Sequence, residues 1–290
     1  MPVELYLNVA VSGLLTGLIY GLSALGLSVI FGVIRIVNFA HGEIMVMGMF
    51  ATLVLFRHLG IDPLYCVPIV AAALFAFGYL LQDLVVRRIV HLPDYMQFLL
   101  MAAIAVMIVS LCLMIFGPDA QGVQVSYAYD SFQIGPLLVD KVRVYAGVAA
   151  LVVSGLLFAF FRYTDTGKAI RACGDNQTGA LVVGLNVRRL FALTFGIGTA
   201  CLGAAGAILV LLIDVHPYLG PSYTLLAFII VIIGGLGSLP GALLGGLLIG
   251  FSEALAGLVF QPSMKSAVSF GLLILVLLLR PQGLMGKISR

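Results

Sequence analysis

The sequence predicts an all-α integral membrane protein with about eight or nine transmembrane helices. Hydrophobic residues make up 62% of the 290 residues and charged residues only 9%, whereas an ordinary soluble domain has roughly 25% charged residues. The apolar residues are also gathered into long runs, and about 20 such residues in a helix cross the hydrocarbon core. This composition cannot supply the polar surface of a soluble protein, so we expect one transmembrane domain over residues 1–290.

The first apolar run, residues 5–34, is longer than one span and leads directly into a polar segment. Residues 35–43 place a guanidinium, an imidazole and a carboxylate between two uncharged stretches. Charged side chains at membrane depth face a protein interior or a water-filled path. The next apolar run, 44–56, is short for a span. We therefore expect a short or broken helix near 35–56, with its non-helical backbone buried in protein or lining a cavity.

The remaining helices follow from apolar runs that are separated by polar or turn-forming segments. We expect them at residues 64–81, 96–116, 144–161, 190–213, 222–233, 242–260 and 266–279. The run 222–233 is short and precedes a glycine-rich segment, so a second short or broken helix is expected near 222–246. Both irregular segments follow an apolar run and lead into a new helix, the pattern of a possible internal inverted repeat. Close helix packing through small residues explains the glycines equally well.

Lysines and arginines are unevenly distributed between the two alternating sets of connecting segments. One set carries ten of them: Arg87, Arg88, Arg162, Lys168, Arg171, Arg188, Arg189, Arg280, Lys287 and Arg290. The other carries four: Arg57, Lys141, Arg143 and Lys265. The positive-inside rule makes the first set cytoplasmic. We thus expect a cytoplasmic C-terminus, a cytoplasmic loop at 162–189 and an external loop at 117–143. Nine passes would place the N-terminus outside and eight would place it inside.

Four polar residues of the first irregular segment, Arg35, Asn38, His41 and Glu43, are candidates for a membrane path or a hinge. Asn38 and His41 are three residues apart, so they share a face if the segment is helical. Alternatively, Arg35 and Glu43 reach the membrane interface while Asn38 and His41 cap helix ends. Residue type and spacing leave both interpretations open.

The loop at 162–189 contains a short predicted helix over about 177–183. Asp175 or Asn176 is a suitable N-cap for it, and Gly184 is a suitable C-terminal stop. Three of its apolar side chains would lie outside the membrane with no span to bury them: Ala180, Leu181 and Val183. Such a helix either rests on the bilayer surface or docks onto a soluble partner.

Three parts of the sequence resemble the LivH-type permeases of branched-chain amino acid ABC importers. They are Ile36 to Glu43 with Met47-Gly48, Gly167 to Ala172 with Gly184-Leu185-Asn186, and Gly234 to Ala242. The likeness continues to the closing segment 280–284 and so covers essentially the whole chain. The element Asn38-Phe39-Ala40-His41-Gly42 distinguishes this branch from the sugar permeases, but not cleanly from urea or amide permeases.

This resemblance implies a permease subunit of a bacterial inner-membrane importer. Two cytoplasmic ABC ATPase subunits would drive it, a periplasmic binding protein would deliver the substrate, and a LivM-like second permease or a second copy would complete it. The path or hinge is then expected at Arg35, Asn38, Phe39, His41, Gly42, Glu43, Gly234, Gly235, Gly237 and Pro240. Coupling to the ATPases is expected at Gly167, Arg171, Asp175, Ala180, Leu181 and Gly184. The chain lacks the phosphate-binding loop of an ATPase, so the expected subunit is not an enzyme.

Other functions are compatible with the sequence. The same architecture could import urea or a short amide. An ion-coupled secondary transporter would use His41, Glu43 and Glu253 as a relay, and a passive channel would need no energy source. The net charge of +3 gives no reason to expect nucleic acid, and the four cysteines show no metal-ligand spacing, so no cofactor or metal is expected.

Overall fold

The computed structural model describes residues 3–134, 137–261 and 264–286, and Lys287 and Arg290 lie outside these ranges. The helices are α1 Val3–Ile34, α2 His41–Leu59, α3 Pro63–Leu84, α4 Asp94–Phe116, α5 Lys141–Tyr163, α6 Asp165–Asp175, α7 Gln177–Val182, α8 Val187–Leu209, α9 Gly220–Gly234, α10 Leu239–Val259 and α11 Lys265–Leu279. Two short strands, β1 Ser131–Ile134 and β2 Leu137–Asp140, form an antiparallel hairpin. Single 3₁₀ turns occupy Val86–Arg88 and Pro217–Leu219.

The prediction of an all-α integral membrane protein is confirmed. Eight helical segments of the described residues are long and apolar enough to cross a membrane, and α11 is a further, shorter apolar helix. The expectation that the second helix is too short to span was wrong. It extends from His41 to Leu59 because polar residues at both its ends belong to the helix. The helix expected at 190–213 ends at Leu209, and turns follow.

The bundle has two distinguishable ends. The hairpin end holds β1 and β2, and there Arg57 donates a 2.6 Å hydrogen bond to Gln121 while Gln121 pairs with Val215 through the backbone. The short-helix end holds α6 and α7. There Arg188 binds Asp83 at 2.9 and 3.2 Å, and Asp83 also forms an i,i+4 ion pair with Arg87 at 3.2 Å.

Glycines bring the central helices into backbone contact. A Cβ on Gly17 of α1 would lie 2.7 Å from the carbonyl oxygen of Gly246 on α10, and one on Gly203 of α8 would lie 2.8 Å from that of Val70 on α3. Without a hydrophobic driving force between helices in lipid, such close packing is a main source of helix association. The large apolar side chains at these contacts are buried between α1, α2, α3 and α8.

Helices α1 and α8 are antiparallel and pack on different partners. α1 runs from the hairpin end to the short-helix end and packs on α10, whereas α8 runs in the opposite direction and packs on α3. The sequence suggested the glycine-rich segment 234–241 as a counterpart of the break after α1, and in the structure that segment connects α9 to α10. The internal inverted repeat stays a prediction.

Candidate functional site

The polar break is non-helical and folds back along α1. α1 ends at Ile34. Arg35 follows with φ of 61° and is the one non-glycine residue with positive φ in the part of the chain that the structure describes. The left-handed conformation turns an L-residue out of a helix at an energetic cost. Residues 36–40 then return to the level of Ser23, which precedes the end of α1 by eleven residues, or roughly 16 Å of helix. α2 therefore begins well inside the bundle.

His41 fixes the start of α2 against α1. Its Nε2 lies 3.1 Å from the carbonyl oxygen of Ser23, and the side chain is fully buried. A carbonyl oxygen can only accept, so Nε2 carries the proton and Nδ1 of the neutral ring carries a lone pair. Nδ1 has no hydrogen-bond partner among the described residues. The imidazole thus acts here as a single donor to the backbone of α1.

Asn38 and Phe39 shape the return of the chain. The Asn38 side-chain oxygen accepts a 3.1 Å hydrogen bond from the backbone N–H of Ala40, as in an Asx turn. The Phe39 ring packs against Phe98 of α4 at 4.4 Å and against Phe228 of α9 at 5.2 Å between ring centroids. The break is therefore held by its own hydrogen bonds and by two neighbouring helices.

The N-termini of α2 and α9 meet in a compact contact, which we call the α2–α9 clasp: Gly42, Glu43, Gly220 and Thr224. The N–H of Gly42 donates to the Thr224 hydroxyl at 2.8 Å, and that hydroxyl donates to the Glu43 carboxylate at 3.1 Å. Gly42 lies so close to the carbonyl oxygen of Gly220 that a Cβ has no room. Glu43 is 4% exposed, and a carboxylate is stabilised at helix N-termini by their N–H groups.

Sequence reasoning missed Gly220 and Thr224. One sequence signal was present at this site. The Gly220-Pro221 pair opens a short apolar run, and proline at the first helical position marks a helix start. It indicated where α9 begins, but not that this start faces Gly42. That contact follows only from the packing of α2 on α9 in three dimensions.

A small cavity adjoins the clasp between α1, α2 and α9. Tyr20, Ser23, Met45 and Tyr223 contribute to its lining, and its volume is about 10 Å³. This is the volume of about one water molecule, far too small for an amino acid. Leu209 of α8 completes the lining.

The structure places Gly234, Gly235, Gly237 and Pro240 at the short-helix end, apart from the clasp. Gly235 and Gly237 have φ of 103° and 78° and turn the chain from α9 into α10. The backbone of the closing segment 280–286 docks here, where the N–H of Met285 donates to the carbonyl of Gly234 at 3.0 Å. The glycine-rich turn therefore lies apart from the clasp, beside the last turn of α1, where Gly237 faces Gly32.

The predicted short helix of the 162–189 loop is present as α7. The Asn176 side chain caps it by accepting a 2.8 Å hydrogen bond from Gly179, and Gly184, with φ of 82°, ends it. Sequence reasoning missed α6, which precedes it and begins at the N-cap Thr164. Gly167 is buried against the end of α5, where a Cβ would meet the backbone of Phe160, and this close approach folds α6 back on α5.

The expectation that Ala180 is unburied was wrong. Ala180 is only 3% exposed, whereas Leu181, Val182 and Val183 are 61%, 83% and 74% exposed. A helix of six residues presents opposite faces to the bundle and to solvent, and the small Ala180 is the residue that faces inward. Of the other predicted coupling residues, Arg171, Asp175 and Gly184 are exposed.

Glu253 lies between α10 and α11, where the Ser269 hydroxyl donates to its carboxylate at 2.7 Å. His41, Glu43 and Glu253 thus each have a different partner. No hydrogen bond joins any two of the three within the described ranges. No group of three or more His, Cys, Asp or Glu residues that could hold a metal ion occurs among those residues either.

Comparison with known proteins decides the family. Residues 9–277 match the family model described as branched-chain amino acid transport system, permease component. The chain belongs to this permease family. Its members are membrane transport subunits rather than enzymes, and their ATPases are separate subunits. No solved structure gives a significant match.

Two relatives cover almost the whole permease. The high-affinity branched-chain amino acid transport system permease protein BraD of Pseudomonas aeruginosa is 31% identical over 297 residues, 97% of this chain and 96% of BraD. The corresponding protein LivH of Escherichia coli K12 is 31% identical over 299 residues, with the same shares covered. The ribose import permease protein RbsC of Bacillus subtilis is 29% identical over 170 residues, 56% of this chain and 52% of RbsC.

Proposed function

We propose that this permease is one of two membrane subunits of an ATP-driven importer for branched-chain amino acids in the bacterial inner membrane. The observation that carries the proposal is the exposed apolar surface at the end of α7, formed by Leu181, Val182 and the C-cap Val183. The names of its near full-length relatives support the cargo and the importer class.

Charge supports a cytoplasmic position of the short-helix end. Its described basic residues are Arg35, Arg87, Arg88, Arg162, Lys168, Arg171, Arg188, Arg189 and Arg280, whereas those of the hairpin end are Arg57, Lys141, Arg143 and Lys265. By the positive-inside rule the short-helix end faces the cytoplasm. With α11 as a ninth pass, the N-terminus lies outside and the C-terminus inside.

α7 is suited to receive an ATPase subunit. Its cap and its C-terminal stop fix it outside the apolar spans, and its three apolar side chains form a contiguous exposed patch. Such patches at the surface of a protein mark interaction sites. Arg171 on the preceding α6 is exposed as well. We therefore assign α6 and α7 as the coupling helices, with one ATPase subunit on each of two permeases.

The arrangement of the buried polar groups favours ATP over an ion gradient. A proton relay needs donors and acceptors within hydrogen-bond reach of one another. In the described part of the permease His41 is bound to a backbone carbonyl, Glu43 to Thr224 and Glu253 to Ser269. These three groups therefore form no continuous chain.

We propose that the path lies between two permease subunits rather than through one. The space beside the clasp, about 10 Å³, has the volume of about one water molecule and offers no room for an amino acid at that point. We infer that a second permease, either a LivM-like chain or a second copy, provides the other wall. A periplasmic binding protein would deliver the substrate at the hairpin end.

The docking role can be tested with Leu181→Asp and Val182→Asp. The permease is purified with its ATPases, and ATP hydrolysis is measured with and without leucine-loaded binding protein. Both variants are expected to lose the ATPase subunits, because a carboxylate would be buried in an apolar contact without a partner. Tyr129→Asp is the matched control, since Tyr129 is 95% exposed at the hairpin end. If both α7 variants retain ATPase binding and stimulated hydrolysis, the docking role is excluded.

A further inference from the structure

Three glycines bring three elements together at the last turn of α1. A Cβ on Gly174 of α6 would lie 2.8 Å from the carbonyl oxygen of Gly32 and 3.4 Å from Cα of Val33. On another side, a Cβ on Gly32 would lie 3.2 Å from Cα of Gly237, in the turn between α9 and α10. We call Gly32, Gly174 and Gly237 the glycine junction. Backbone packs on backbone here, so no flexible side chain can absorb a displacement.

The corner between α6 and α7 also reaches the point where α1 ends. The side-chain amide of Gln177 lies 3.5 Å from the carbonyl oxygen of Val33. Arg35 lines an open cleft with residues 174–177. The last turn of α1 is therefore in direct contact with the helices that we assign to ATPase coupling, and the left-handed Arg35 follows that turn immediately.

On its other side, Arg35 leads into a segment with a fixed far end. Only residues 36–40 separate it from α2. The Asx turn at Asn38, the bond from His41 to Ser23 and the bond from Gly42 to Thr224 hold that end in place. Because this short segment is fixed at its far end, a rotation at Arg35 is passed on to the start of α2. Hinges of domain movements are a few residues at element ends that absorb the φ/ψ change.

We propose that Arg35 is the hinge through which α6 and α7 move the α2–α9 clasp, and that the glycine junction is where this movement enters the membrane domain. The source of the movement, an ATPase docked on α7, rests on the proposed function. Gly32, Gly174, Gly237 and Arg35 are positioning residues and contact no substrate in this account. The linkage itself is a property of this chain alone.

The linkage can be measured without any partner. Gly174→Ala is compared with the wild type in detergent by hydrogen–deuterium exchange of the segment 35–43. The added methyl group must push α6 away from Gly32, so exchange in this segment is expected to rise by about tenfold or more. Gly155→Ala on α5 is the matched control, because a Cβ there meets no atom within 4 Å. Unchanged exchange in a folded Gly174→Ala variant would overturn the proposal.

A second pair of variants tests the hinge if Gly174→Ala does not fold. Glycine adopts positive φ without strain, whereas a β-branched residue at positive φ is a strong outlier. Arg35→Gly is therefore expected to keep exchange in 35–43 close to that of the wild type, and Arg35→Val is expected to raise it and to abolish ATP-driven uptake. Equal behaviour of the two variants would overturn the hinge.

The complete transporter separates this proposal from the proposed function. There Gly174→Ala is expected to keep bound ATPases and basal ATP hydrolysis but to lose the stimulation by loaded binding protein, while Gly155→Ala keeps it. Full stimulation in Gly174→Ala would overturn the coupling role. Absence of ATPase binding in the wild type would contradict the proposed function, and the exchange measurement on the isolated permease would still decide the linkage.

Discussion

Gly42→Ala perturbs the α2–α9 clasp in the most direct way. The new Cβ would lie 2.7 Å from the backbone nitrogen of Thr224 and closer still to the carbonyl oxygen of Gly220. Ordinary contact begins at 3.4 Å, so α9 must retreat from 2.7 Å by about 0.7 Å at the least. Overpacking of this kind costs about 1–3 kcal/mol, and weakening the bond from Gly42 to Thr224 adds about 0.5–1.5 kcal/mol.

We therefore expect Gly42→Ala to lose roughly 2–4 kcal/mol of stability. In thermal unfolding of the purified permease this corresponds to a Tm lower by on the order of 5–10 °C. Gly155→Ala is the control for the same chemical change at a position with open space. It should be neutral or more stable by about 0.5–1 kcal/mol, because alanine favours a helix more than glycine does.

The difference in Tm between these two variants is the deciding quantity. Equal Tm values for Gly42→Ala and Gly155→Ala would show that α2 and α9 are not in backbone contact at Gly42 and Gly220. In that case the account of the clasp would be refuted, whatever the transport activity of either variant.

Three further predictions concern polar contacts. Thr224→Val removes the hydroxyl that joins Gly42 to Glu43, and it should lower the free energy of unfolding by about 1–3 kcal/mol. Thr224→Ser keeps a hydroxyl and should retain most of that stability. Similar losses of both variants in thermal unfolding would contradict this. Burial and the hydrogen bond to the Asp62 carboxylate raise the pKa of the Tyr127 hydroxyl. The stability that the protonated hydroxyl gives the fold should therefore be complete below about pH 10 and be lost as the pH rises further. Tyr127→Phe should flatten this alkaline decline, and an unchanged slope would count against it. Asp83→Asn should lower the free energy of unfolding by no more than about 1 kcal/mol, and by nothing in high salt, because the ion pairs of Asp83 with Arg87 and Arg188 are partly exposed. A larger loss at any salt concentration would show that these pairs are not screened surface contacts.

Apolar runs were sufficient to predict the membrane class and most helix positions, because a membrane span is specified locally by length and composition. The predicted cap and stop of α7 were also local features, and Asn176 and Gly184 fill them. Side-chain direction was not predictable in the same way. Ala180 is buried because α7 packs on the bundle, a contact that the sequence of a six-residue helix does not reveal.

The candidate site depends on contacts between residues that are distant in the sequence. His41 reaches Ser23, and Gly42 reaches Thr224 across 182 positions. The polar residues of the break could be recognised from their setting in an apolar chain. Their partners could not, since a serine carbonyl or one threonine in an apolar helix carries no distinguishing pattern. The assignment of Arg35, Asn38, His41 and Glu43 to a path or hinge stays a prediction.

Uptake of radiolabelled leucine into proteoliposomes tests the central claim most directly. Vesicles are prepared with this permease alone or with its partner permease, ATPases and binding protein, with urea and other amino acids as competing cargoes. We predict uptake only in the complete system, dependent on ATP and on the loaded binding protein, and competed by isoleucine and valine but not by urea. Uptake by the permease alone, driven by a proton or sodium gradient without ATP, would contradict the account.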